Sequence, residues 1–293
     1  MTATQEISRE QADFGSQLTA ENRSVGIEGE TFFYRRFGNA AAVAPPLVFL
    51  QHFRGNLDSW DPAFVNRIAQ QREVILLANR GVGASTGVVP DNVRDMARDA
   101  LRFLDALQLK EIDVLGFSLG GYLAQEIALL RPRAVRRIVL AGTAPRGGHD
   151  LHRWSDKVYS LVTDDQVGVE SFLALFFTGS EQSRARGMEY LGRMQSRQHA
   201  SDDPTDLACR DAQLAAITEW GIPDPGQLAR LAAITQPTFV AVGDNDEMMH
   251  TRNSQLLADR LPAAQLRICP DANHGFLDQY PELFADHVNA FLN

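Results

Sequence analysis

Gly116-Phe117-Ser118-Leu119-Gly120-Gly121 is the segment whose residue types and spacing most plainly describe chemistry. An apolar run, Ile112 to Leu115, precedes it, and Tyr122, Leu123, Glu126 and Leu129 follow at helical spacing. A serine between a buried strand and a helix sits on a tight turn that lifts its hydroxyl from the sheet edge, the context of a G-x-S-x-G nucleophile elbow. Gly116 and Gly120 leave room for that turn. The helix start aims N–H groups and the positive end of its dipole at the reacting centre. The bland alternative is a glycine-rich turn carrying an inert serine; the strand-turn-helix context favours the nucleophile.

A serine hydroxyl is a weak nucleophile at neutral pH and needs a base, itself oriented by an acid. Of the seven histidines, His274 lies in Pro270-Asp271-Ala272-Asn273-His274-Gly275, after the last expected strand and before the final helix. Loops at the C-terminal ends of parallel strands are where doubly wound sheets place reactive groups. His287 falls on the apolar stripe of the last helix and reads as structural. His149 and His152, beside Asp150 and Asp156, complete no recognised ligand spacing, so neither metal nor cofactor is expected. For the acid, Val242-Gly243-Asp244-Asn245-Asp246 follows another strand. The spacing favours Asp246, with Asp244 capping the turn through backbone N–H groups. Acyl transfer also needs donors for the developing oxyanion. One is the backbone N–H of Leu119; the other is expected from the loop Gln51-His52-Phe53-Arg54-Gly55-Asn56.

These loops need a scaffold, and the apolar pattern supplies one. Thr31 to Phe37 mixes β-branched and aromatic residues after a Glu28-Gly29 hairpin turn. Leu47 to Leu50, Val74 to Leu77, Ile112 to Leu115 and Val135 to Leu140 are short, nearly continuous apolar runs. Such runs mark strands covered on both faces. Between them, Asn92 to Leu107 carries Val93, Met96, Ala97, Ala100, Leu104 and Leu107 on one helical stripe. Strands alternating with helices predict an α/β fold around a mostly parallel sheet. From Gly148 to about Pro225 the alternation stops, and apolar residues recur only at helical intervals. It resumes with Thr238 to Val242, a helix near Asn253 to Leu261, a strand around Gln265 to Ile268, and a last helix with Tyr280, Leu283, Phe284, His287, Val288 and Phe291 on one face. The expected organisation is a polar leader over 1–22, one core from 23–147 and 226–293, and a helical cap or lid inserted over 148–225. Ser118 precedes the insertion while Asp246 and His274 follow it, so both flanks must share one sheet.

Composition narrows the remaining classes. The chain has 293 residues, 44% hydrophobic and 22% charged, which is ordinary for a soluble globule. A net charge of −9 argues against nucleic acid or an anionic membrane as a partner. Cys209 and Cys269 cannot form a disulfide framework, and the polar first residues do not read as a signal peptide. A cytoplasmic protein with a small-molecule substrate is expected. The residues do not specify an oligomeric state.

The order Ser118…Asp246…His274 is that of the α/β hydrolases rather than of chymotrypsin or subtilisin. With these loops, the chain resembles the α/β-hydrolase superfamily, in its cap-bearing branch of serine esterases, lactonases and haloperoxidase-like enzymes. Aligned on Gly55 and Trp60, Gln51-His52 stands where His-Gly is usual, which puts Phe53 at the second donor position. Asn79-Arg80-Gly81-Val82-Gly83-Ala84-Ser85 resembles the family's D-x-R-G-x-G-x-S stretch and reads as structural. The resemblance implies hydrolysis of a carboxylic ester or lactone through an acyl-enzyme on Ser118. His274 is then the general base and acid, and Asp246 orients it. Serine at position 118 and arginine at 54 fit neither a dehalogenase nor an epoxide hydrolase of this fold. Cleavage of a C–C bond, perhydrolysis, or a ligand receptor of the same fold are the alternatives. For the substrate pocket, Arg54, Met248, Met249 and Trp154 are the candidates. Arg54 is weighed between a substrate carboxylate and an ion pair with Asp58.

Overall fold

The computed structural model describes residues 15–293. The first part of the expected leader lies outside them, but residues 15–22 are packed. The Gln17 amide donates to the Leu57 carbonyl at 2.6 Å, and Arg197 donates to the carbonyls of Gln17 and Ala20.

The chain then enters a hairpin of β1 (Arg23–Ile27) and β2 (Glu30–Gly38). Its turn places Glu28 and Gly29 in the left-handed region, at φ 52° and 92°, the conformation a two-residue hairpin loop needs. The apolar runs follow as β3 (Leu47–Leu50), β4 (Glu73–Leu77), β5 (Ile112–Phe117), β6 (Val135–Ala141), β7 (Thr238–Gly243) and β8 (Ala264–Cys269). Among the described residues they form one sheet in the order β1-β2-β4-β3-β5-β6-β7-β8. β2 pairs antiparallel with β4, and every pair from β4 to β8 is parallel. Parallel pairing requires a crossover after each strand, and helices supply it.

The helices in chain order are α1 (Pro62–Ala69), α2 (Val93–Ala106), α3 (Leu119–Leu130), α4 (Asp156–Val162), α5 (Val169–Phe176), α6 (Glu181–Met194), α7 (Leu207–Gly221), α8 (Pro225–Ala229), α9 (Thr251–Arg260), α10 (Phe276–Gln279) and α11 (Pro281–Leu292). Local signals set their starts. Asn92 accepts from the Asp95 N–H to cap α2, and Asp61 accepts from Ala63 ahead of Pro62 at the first turn of α1. The α2 stripe packs as its spacing predicts. The α11 stripe is rotated: Phe284, Ala285, Val288 and Leu292 are buried, whereas Leu283 is 54% exposed. Asn289 is the reason the stripe misleads, because it sits on the buried face with its amide on the Arg67 carbonyl.

Five helices, α4 to α8, lie between β6 and β7, and they are stitched to the loops after β3 and β4. The buried Asp202 carboxylate accepts from the backbone N–H of both Leu57 and Ala84. Arg193 of α6 forms a two-pronged pair with buried Asp61. Among the described residues, no helix is long and apolar enough to cross a membrane.

Candidate active site

Ser118 occupies the junction of β5 and α3 at φ 55°, ψ −118°, a strained conformation for a residue with a side chain. The surrounding glycines explain how the turn closes. A Cβ on Gly116 would collide with the Gly120 carbonyl, and one on Gly120 with the Leu50 carbonyl. Ser118 N–H donates to the Ala141 carbonyl at 2.9 Å, and Thr143 Oγ1 donates to the Ser118 carbonyl at 2.7 Å. The turn is thereby anchored to β6 and the residues just after it.

Asp246 and His274 meet from the loops after β7 and β8. His274 Nδ1 lies 2.8 Å from Asp246 Oδ2, and both side chains are buried. The other Asp246 oxygen accepts from the N–H groups of Met248 and Met249 at 2.9 and 2.8 Å. Burial alone raises a carboxyl, but the facing His274, its hydrogen bond and these two amides hold Asp246 below the usual carboxylate range. Asn273 Oδ1 ties the two loops together, accepting from the N–H of Glu247 and of His274. Asp244 stands outside the pair, its carboxylate accepting from the Ala272 N–H and the Asn245 amide.

A carboxylate on Nδ1 requires the proton there, which leaves the Nε2 lone pair free. Phe117, next to Ser118, stacks on the His274 ring with centroids 5.0 Å apart, and Phe176 meets that ring edge-on at 5.5 Å. Ser118 Oγ and His274 Nε2 are both buried, and neither has a hydrogen-bond partner. Both polar atoms therefore face the site without a protein partner, and no hydrogen bond joins the two.

The loop after β3 is built differently. Gln51, where the resemblance leads one to expect histidine, folds its side chain back so that Oε1 accepts the His52 N–H at 2.8 Å. Arg54 takes φ 61°, so the loop turns sharply without the usual glycine. Its N–H donates to Gln213 Oε1 of α7 at 2.7 Å, and Thr205 Oγ1 donates to its carbonyl at 2.9 Å. The Phe53 and Leu119 N–H groups form no hydrogen bond to the described residues.

A family model described as the alpha/beta hydrolase fold matches residues 45–281. A solved alpha/beta hydrolase fold protein from Chitinophaga pinensis is 40% identical, over 95% of this chain and 99% of that one, with a TM-score of 0.90. A poly(3-hydroxyalkanoate) depolymerase of Ectopseudomonas oleovorans is 31% identical over 84% of each chain. An Agrobacterium fabrum protein provisionally named carbamate hydrolase RutD is 26% identical over 87% of this chain and 95% of its own. The chain belongs to the alpha/beta hydrolase fold family.

In this alpha/beta hydrolase a cavity of about 340 Å³ opens beside the loop after β3, lined by His52, Phe53, Arg54, Val162, Phe172 and Phe176 among others. Three pocket candidates from the sequence lie elsewhere. Met249 is fully buried, its sulfur accepting from the Tyr122 hydroxyl at 3.0 Å. The Met248 carbonyl accepts from the Trp154 indole at 2.9 Å, so those two residues join the acid loop to the helical segment. Arg54 lines the cavity, but its guanidinium is committed to the Asp164 and Asp165 carbonyls. It does not pair with Asp58, which faces Arg35 and Arg197. Gln213 and Phe176 escape a reading by motif. Gln213 does carry a signal: a polar residue on the buried stripe of α7 with Cys209, Ala216, Ile217 and Trp220.

Proposed function

We propose that this hydrolase cleaves a small carboxylic ester or lactone through an acyl-enzyme on Ser118. The observation that carries the reading is the buried Asp246–His274 hydrogen bond at 2.8 Å, which puts the proton on Nδ1 and leaves the Nε2 lone pair free. His274 Nε2 takes the serine proton as Oγ attacks the carbonyl carbon. The oxyanion is received by the Phe53 and Leu119 N–H groups. As the tetrahedral adduct collapses, the alkoxide leaves with the proton held by His274. Water then attacks the acyl carbon, gives a proton to the same nitrogen, and the acid departs as Ser118 regains its hydrogen. No metal or redox partner enters any step.

Helices α4 to α8 act as the lid in this reading, with the cavity between them and the loop after β3 holding part of the substrate. His52, Phe53, Val162, Phe172 and Phe176 form its wall in place of Met248, Met249 and Trp154. Carbamates are a second reading, supported by the relative of that name; the same serine chemistry applies to a carbamoyl carbon. Hydrolysis of short p-nitrophenyl esters, a lactone series and a carbamate is measured with wild type, Ser118→Ala and Asp246→Asn. Ester or lactone turnover lost in Ser118→Ala supports the proposal, and full activity in that variant refutes it. Selective turnover of the carbamate favours the second reading.

A further inference from the structure

His52 is the one ring in the cavity wall with an uncommitted polar edge. Its Nδ1 lies 2.8 Å from the Phe53 carbonyl oxygen. A carbonyl oxygen can only accept, so in the neutral ring Nδ1 carries the hydrogen and Nε2 carries the lone pair. Burial, its largest influence, together with the nearby His274, pushes the ring down to about 4 despite the Phe53 bond, which keeps it neutral at physiological pH. No described residue donates to Nε2, and that atom is not among the fully enclosed unpartnered ones. It is therefore reached by solvent, and the ring that carries it lines the cavity.

The position of the ring matters as much as its protonation. Phe117 and Phe176 pack edge-on against His52 at 5.2 and 5.5 Å, and the same two rings enclose His274. His52 also immediately precedes Phe53, whose N–H is assigned to the oxyanion. The ring thus stands between the Phe117–His274 stack and a cavity wall that is mostly apolar, with Val162, Phe172, Leu175 and Phe176 beside Arg54, Ser59 and Thr205.

We propose that His52 Nε2 is a substrate-recognition acceptor, selecting acyl groups that carry a hydroxyl or N–H close to the scissile carbonyl over their plain alkyl analogues. The inference rests on Ser118 being the nucleophile. Its physical basis is asymmetric. A hydroxyl or N–H aimed at Nε2 keeps the bond it gave up in water, whereas an alkyl chain strips water from the nitrogen and returns nothing.

The test compares kcat/KM for the p-nitrophenyl esters of butyrate, 3-hydroxybutyrate, 3-methoxybutyrate and N-acetylglycine. Wild type is expected to favour the hydroxy and N-acetyl esters over butyrate by roughly tenfold to a hundredfold. The methoxy ester, polar but lacking a donor, should behave like butyrate, and this arm needs no variant. In His52→Phe the ratio of hydroxy to plain ester should fall to near one, whatever the absolute rates. His52→Gln, which offers an amide oxygen, should restore part of the ratio. A wild type without preference, a preference shared by the methoxy ester, or one that survives in His52→Phe would each overturn the proposal. These failures differ from failure of the catalytic reading, which appears instead as ester hydrolysis undiminished by Ser118→Ala.

Discussion

In the proposed mechanism the site has an acid–base side, Asp246 and His274, and an oxyanion side, the loop after β3, and the two are held in different ways. Asp246 and His274 are oriented by their own mutual bond and by bonds within and between their two loops, from Met248, Met249, Asn273 and Gly243. The helical segment reaches this side too, through Gly275 N–H on the Phe176 carbonyl, the Asn273 amide on the Ala174 and Phe177 carbonyls, Thr178 and Ser180 on Asp271, Lys157 on Glu247 and Trp154 on Met248, but it does not bond the Asp246 carboxylate or the His274 imidazole. The loop after β3 is the reverse case. Arg54 N–H, its carbonyl and its guanidinium, together with the Leu57 N–H, go to Gln213, Thr205, Asp164 and Asp202 of the segment between β6 and β7. One side is preformed in its direct bonds by the core's own loops, with the helical segment bracing those loops from outside. The other takes its shape from the segment that lies over it. In the proposed mechanism, movement of α4 to α8 should change the loop after β3 directly, and Asp246 and His274 only through the neighbours that brace them.

The largest expected effect falls on the preformed side. Asp246→Asn keeps the shape but releases the His274 tautomer, and kcat should fall by about 10³–10⁴, with the fold intact by circular dichroism. The contrasting variant is Gln213→Ala. It frees the Arg54 N–H, loosens the turn that presents Phe53, and should lower kcat by about tenfold to a hundredfold with little change in KM. Two results would break the comparison. One is a Gln213→Ala effect confined to KM; the other is a changed acid limb in its pH–rate profile, since the proton-transfer pair should be untouched.

This asymmetry also decides what could be read from the sequence. Ser118, Asp246 and His274 lie in short motifs whose neighbours, Gly116, Gly120, Gly243 and Asn273, are the residues that shape them. Local causes leave local signatures. The sheet was legible for the same reason, because burial on both faces writes continuous apolar runs. Gln213 and Asp202 act on a loop some 150 positions away, and no spacing rule links them to it. Arg54 shows the complementary error. Its neighbour Asp58 offered a local partner, but left-handed backbone at Arg54 turns the side chain toward the Asp164 and Asp165 carbonyls instead. Arg54→Ala should accordingly lower turnover of neutral and anionic esters alike, by a factor of about two to five, since exposed bonds to carbonyls contribute little each. Loss confined to anionic esters would return Arg54 to substrate binding.

A further variant separates anchoring from chemistry on the acid–base side. Asp278 lies on α10, four positions past His274 and buried; Arg193 of α6 donates to its backbone carbonyl and pairs with Asp61. Desolvation, reinforced by the Asp61 carboxylate and only partly opposed by Arg193, holds the Asp278 carboxyl well above the usual range, and the buried Tyr190 hydroxyl is close enough to feel its charge. For an acid raised in the folded state, the stabilisation is complete below the unfolded value of about 4 and drains away as pH climbs toward the folded one. Asp278→Asn resembles the protonated side chain and does not titrate. Its Tm should match wild type near pH 4 and exceed it increasingly toward pH 8, where a gain of about 1 kcal/mol corresponds to about 2 °C. Because Asp246 and His274 take none of their bonds from Asp278, kcat at pH 7 should stay within a factor of about two. A Tm difference that shrinks as pH rises would mean the carboxyl is ionised and held by Arg193. A large fall in kcat would mean the acid–base side depends on the helical segment after all, and the contrast between the two sides would fail.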